Sequence, residues 1–152
     1  MEIVFNRLKD VSNIYNQALE RITDQQVRQR LIEANDFSLP PTGARYDCWM
    51  AVMFILGQTD DLFTLDKNGH RVEHLRKTHL YLPEFAKPQF LSLAVDYQQS
   101  TPIHIGLVLQ TDKTTNGIYI WSKPGSSIAK ISTAEQELAK GVTLRYFDAG
   151  LK

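Results

Sequence analysis

The stretch Arg45-Tyr46-Asp47-Cys48-Trp49-Met50-Ala51-Val52-Met53-Phe54-Ile55-Leu56-Gly57 constrains this chain more than any other. From Trp49 to Leu56 it is apolar on every side, so as a helix it must be enclosed all round by other elements. Asp47 is a good N-cap and Gly57 a natural stop, which predicts a short core helix with Cys48 in its first turn. Unpaired backbone N–H groups and the positive end of the helix dipole favour thiolate over thiol at such a position. The only cysteine of the chain therefore stands where a thiol becomes a nucleophile.

At 152 residues the chain fits one domain over 1–152, with a helical N-terminal part (1–35) and a core (36–152) large enough to fold without staples or a structural metal. The 17 basic and 17 acidic side chains cancel and form no block, so the footprint expected of a nucleic-acid or anionic-membrane partner is missing. A single cysteine forms no internal disulfide, and the run Trp49 to Leu56 is too short to cross a bilayer. The first eight residues, Met1 to Leu8, lack a basic start, apolar run and cleavage site. Synthesis in the cytoplasm is the expectation, with export by a dedicated secretion system left open.

Val4, Leu8, Val11, Tyr15, Ala18 or Leu19, and Ile22 recur at three- and four-residue spacing, which predicts an amphipathic helix. Thr23 with Gln26 reads as a capping box that opens a second helix through Val27, Leu31 and Ala34, ended by Asn35-Asp36. Pro40, Pro41 and Gly43 make 36–46 a loop leading to the cysteine helix. Residues 71–78 are read as a short exposed helix, and Phe90 to Tyr97 as a strand or buried helical turn. Ile103 to Leu109, β-branched and apolar after Pro102, is a clearer strand, with Gly117 to Ser122 its antiparallel partner. Thr133 with Gln136 predicts another short capped helix, and Val142 to Phe147 a last strand. Helices first and a mostly antiparallel sheet after them is an α+β plan.

His104, near the start of the best strand, is the imidazole expected to meet Cys48: a thiol at a helix head and a base on a facing strand make an activated nucleophile. A hairpin centred near Lys113 sets Ser122 opposite His104, a candidate to orient its ring, while Asp112 and Asn116 in the connecting loop are alternatives. His70, His74 and His79 have helical ligand spacing, but no second cysteine or carboxylate pair completes a metal site. Tyr119 and Trp121 line a cleft or, more plainly, fill a core. Pro124 to Ser127 contacts substrate or simply ends the hairpin.

These residues resemble the papain-like cysteine hydrolases, and among them the NlpC-type and related amidase families that cut bacterial cell-wall peptides. Tyr46-Asp47-Cys48 is similar to the aromatic-Asp-Cys opening of their catalytic helix, and His104-Ile105-Gly106-Leu107-Val108-Leu109 to their His-Val-Gly-type strand. The resemblance implies a papain-like fold with Cys48 as nucleophile and His104 as base, and no cofactor. It covers the span from about Tyr46 to Ser122.

The chemistry implied is acyl transfer. Cys48 thiolate attacks an amide carbonyl, a backbone N–H at the helix start, with Tyr46 as a side-chain alternative, holds the oxyanion, and His104 protonates the leaving amine. Asp47 is read as the N-cap. The expected substrate is a peptide or protein amide, foremost in peptidoglycan, and the resemblance leaves room for an inhibitor or immunity protein as partner. The same dyad in an effector would deamidate or cleave a host protein. A rival of another class is a non-catalytic binding or adaptor domain on the same scaffold, with the cysteine a small buried hydrophobe.

Overall fold

In the computed structural model, which describes residues 2–36, 48–58, 70–111, 117–123 and 129–151, the apolar run is a helix buried on all sides. This helix, α3 (Cys48–Ile55), has all eight residues buried. Gly57 ends it in the left-handed region at φ 77°. The Gly57 N–H reaches Phe54 O at 3.0 Å and the Gln58 N–H reaches Met53 O at 2.9 Å. Those two bonds form a Schellman closure, which needs the freedom of glycine at that position.

Two helices come first: α1 (Glu2–Arg21), which packs on strand Thr101–Gln110, and α2 (Gln25–Asp36), which packs on α3. Ile14, Ala18 and Ile22 bury one stripe at four-residue spacing, and Val27, Leu31 and Ala34 bury the next. The second helix starts one residue later than a Thr23 cap implies. Asp24 Oδ1 accepts from the Gln26 N–H at 2.9 Å and the Val27 N–H at 3.3 Å. An acceptor on Asp24 serves the first-turn donors, so Asp24 is the cap and the Thr23–Gln26 box is not used. The helix α4 (His70–Thr78) runs into a 3-10 turn, His79–Tyr81.

The strands are β1 (Glu84–Phe85), β2 (Leu93–Gln98), β3 (Thr101–Gln110), β4 (Tyr119–Ser122), β5 (Lys130–Thr133) and β6 (Thr143–Phe147), with α5 (Ala134–Leu138) between the last two. They form one sheet in the order β1-β6-β2-β3-β4-β5, and every pairing is antiparallel. The α+β plan expected from the sequence is thus present. The strand expected at Ile103 to Leu109 starts earlier, at Thr101, and runs to Gln110. Pro102 lies within it, at the bulge where Tyr97 pairs with Pro102 and Asp96 with His104; a residue without an N–H fits a break in the ladder.

Because side chains alternate along a strand, the sheet has two distinct faces. Leu93, Val95, Tyr97, Ile105, Leu107, Leu109, Trp121 and Phe147 pack against the helices α1 to α3. Ala94, Val108 and Ile120 face the other way and pack with Ala134 of α5. Trp121 also ties the layers by a polar contact, its Nε1–H donating to Asn35 Oδ1 of α2 at 3.0 Å. The short helix α5 follows β5 without a loop and is opened by the expected capping box: the Gln136 N–H donates to Thr133 Oγ1 at 3.1 Å, and the Thr133 N–H to Gln136 Oε1 at 2.9 Å.

Candidate functional site

Cys48 is the first residue of α3, as expected, and its side chain is turned into the helix-side core, with 6% of the residue exposed. Tyr46 and Asp47, the expected oxyanion donor and N-cap, lie outside the described residues, as do Asp112 and Asn116. Among the described residues, a fully buried imidazole on this side of the sheet is that of His79. Its Nδ1 bonds to Leu75 O at 3.2 Å and its Nε2 to Tyr97 Oη. A carbonyl only accepts, so Nδ1 carries the proton and the Tyr97 hydroxyl donates to Nε2. Trp49 and Phe147 enclose the ring at centroid distances of 5.7 and 5.1 Å. Burial holds His79 below the usual imidazole range despite its bonds to backbone carbonyls, with Arg145 and Arg76 adding to the fall. It is a neutral core histidine with both nitrogens occupied.

His104 is on the other face. It pairs directly with Asp96, while its neighbour Ile105 pairs with Val95 on the helix side. The structure therefore does not bring Cys48 and His104 together: the sheet lies between them, and the dyad expected from the sequence is corrected here. The cause is parity, since the apolar set Ile105, Leu107 and Leu109 claims the helix face and sends His104 and Gly106 to the opposite one.

Ser122 shares the face of His104, as expected, but not its cross-strand position. Leu107 pairs with Trp121 and Val108 with Ile120, so the register runs two residues off the anticipated hairpin. A Cβ at Gly106 would lie 3.4 Å from Ser122 Cβ, which puts Ser122 beside Gly106 rather than opposite His104. Ser122 is 1% exposed and its Oγ has no hydrogen-bond partner.

What gathers near His104 is a band of polar groups beneath α5 that sequence reasoning missed. Asp96 and Glu137 are buried, at 4% and 2% exposure, and share a hydrogen bond. Glu137 Oε1 also accepts from Ser132 Oγ at 2.8 Å, and the exposed Lys140 Nζ reaches both of its oxygens at 3.3 Å. Burial raises Asp96 far above the usual carboxylate range, and the hydrogen bond and charge of Glu137 raise it further, against the pull of Lys140 and Lys130. Burial works in the same sense on Glu137, but its bonds from Asp96 and Ser132 and the charge of Lys140 outweigh it and hold Glu137 low. Two carboxyls this close share one proton, and the donors Ser132 Oγ and Lys140 Nζ, both directed at Glu137, favour the charge on Glu137 and the proton on Asp96. Burial also lowers His104; the Glu137 charge opposes this, and Lys130 and Lys140 reinforce it. The one visible signal for this cluster was an aspartate inside the apolar run Leu93 to Tyr97. Glu137 looked like any solvent-facing residue of a helix.

Of the histidines with ligand spacing, His74 is exposed and His79 is the buried residue just described, while the His70 side chain is outside the description. Among the described residues no group of three or more His, Cys, Asp or Glu is placed to hold a metal ion. Among them too, no helix is long and apolar enough to cross a membrane. No protein-family model matches the chain, and no curated protein and no solved structure matches it significantly.

Proposed function

We propose that this chain is a non-catalytic binding module on a papain-like scaffold, with Cys48 as a core residue and a peptide or protein segment as its partner. The observation that carries this reading is the sheet standing between Cys48 and His104. A thiol catalyst needs a base within hydrogen-bond reach, and His104 is not that base. A cysteine-headed helix packed on an antiparallel sheet supports the scaffold. Large apolar side chains left in solvent support the binding role: Tyr81 and Leu80 of the 3-10 turn are 87% and 50% exposed, and Ile103 of β3 is 44% exposed. A thiol-reactive probe titrated against pH tests it. Cys48 in the native protein is expected to label slowly at neutral pH, and fast labelling near neutrality overturns the reading.

A second reading is favoured by the place of Cys48 at the head of α3, where first-turn N–H groups stabilise an anion. It is a cysteine hydrolase acting on an amide bond of cell-wall peptide or of a host protein, with a base other than His104. Release of fragments from purified peptidoglycan, read by mass analysis and lost in Cys48→Ala, would establish it in place of the first.

A further inference from the structure

The polar band beneath α5 has an arrangement that neither reading of the cysteine uses. The helix α5 has only five residues, too few to hold together by its own hydrogen bonds, so its place on the sheet depends on what it touches. Two of its side chains are buried, Ala134 in the small apolar cluster and Glu137 in the polar band. Glu137 is bonded to Ser132 of β5 on one side and to Asp96 of β2 on the other, strands separated in the sheet by β3 and β4. One carboxylate thus pins a marginal helix across the middle of the sheet.

We propose that α5 is a proton-operated latch: Glu137 holds it down while Asp96 is protonated, and loss of that proton to solvent lets the helix lift from the sheet. With the proton in place, the Asp96 carboxylic acid donates to the Glu137 carboxylate, which also accepts from Ser132 Oγ. Without it, two carboxylates meet at hydrogen-bond distance with no hydrogen between them, in a buried site where repulsion is poorly screened. The burial of Asp96 is what brings this proton's loss up from the acid range, toward the range in which proteins work.

The charged and titratable groups around the pair set where the latch trips. Lys140 of α5 and Lys130 of β5 are cations that favour the doubly ionised state, but both are exposed and their pull is screened by solvent. His104 of β3 is directly opposite Asp96, and its burial, with the charges of Lys130 and Lys140, disfavours its cationic form against the pull of Glu137. Tyr146 of β6 is raised by its own burial and by the charge on Asp96. The strain of a second charge falls on the element least able to resist it, because β2 is held on both edges by β3 and β6 while α5 is a helical turn and a half. Lifting α5 would uncover the face that carries His104, Ser122 and Ser132.

Hydrogen exchange on the whole chain tests the latch, read as protection factors so that the base dependence of exchange itself is removed. The reporting amides are Ala139, Lys140 and Gly141, which donate to Glu135, Glu137 and Leu138, compared with Ile105 and Leu107 in β3. Between about pH 6 and about pH 9 the α5 amides are expected to lose at least about tenfold more protection than the β3 amides. Asp96→Asn keeps a donor to Glu137 and is expected to abolish that difference. Glu137→Gln removes the second charge and is expected to abolish it too, so the test survives if one variant fails to fold. Parallel protection in α5 and β3 across the range overturns the proposal. So does an equal pH response in the wild type and in either folded variant.

Discussion

At the scale of single residues, His79 and His104, on opposite faces of the sheet, show how one side-chain type is set to different tasks by what surrounds it. His79 is enclosed by Trp49, Phe147 and Tyr97, and its bond from the Tyr97 hydroxyl leaves it no capacity for a catalytic proton. Its folded value is depressed, so the folded protein resists a proton that the unfolded chain accepts. The stability this represents is complete above the unfolded value of about 6.5 and is lost as pH falls below it. The unfolding temperature is therefore expected to drop on acidification below about pH 6.5, with His104, depressed in the same direction, adding to the slope. His79→Phe is expected to shallow that acid slope, at a cost of about 1–3 kcal/mol near neutral pH from the stranded Tyr97 hydroxyl. Thermal unfolding followed by circular dichroism across pH checks both, and an unchanged slope in the variant would refute the assignment.

At the scale of elements, periodicity was legible and register was not. The Ala18 and Ile22 positions of the first stripe, the all-apolar α3 and the Thr133 box on α5 were written in residue spacing and cap chemistry, which act locally, whereas the buried residue one turn before Ala18 is Ile14 and not the expected Tyr15. The strands β1 and β5 were not anticipated, the first being two residues long and the second, Lys130-Ile131-Ser132-Thr133, carrying one apolar side chain. The pairing of β3 with β4 is off the anticipated register on both sides of a bulge between Val108 and Gln110, and at Leu107 and Val108 the offset is two residues, a shift that leaves side-chain alternation unchanged and so has no signature in it. Gly106 shows what the pairing demands: a Cβ there would lie 2.5 Å from Trp121 O and 2.6 Å from Ile120 Cγ2. The first of these neighbours is backbone and cannot swing aside. Gly106→Ala is expected to destabilise the sheet by about 1–3 kcal/mol through forced separation of β3 and β4. A lower midpoint in urea checks this, and an unchanged midpoint would mean that the strands stand further apart than described.

At the scale of the whole molecule, the candidate site was half legible for the same reason. Sequence order shows that a cysteine-headed helix precedes a histidine-bearing strand, but the side of the sheet each takes is decided by which apolar set wins the larger core. Here Ile105, Leu107 and Leu109 win it, and Cys48 shares that core with Trp49, Trp121 and Phe147. The thiol is consequently a reporter on the integrity of the entire helix side, since α3 touches α2, α4 and β3 at once. If Cys48 becomes reachable only when this core comes apart, its labelling rate must rise with urea as steeply as global unfolding does, because both expose the same surface. The expected result is a labelling free energy whose denaturant slope equals that from loss of near-ultraviolet circular dichroism, with Leu75→Ala in the same core raising the rate at every urea concentration. A slope near zero would instead mark a local opening at the head of α3, and with it a thiol accessible in the native state, which is what the hydrolase reading requires.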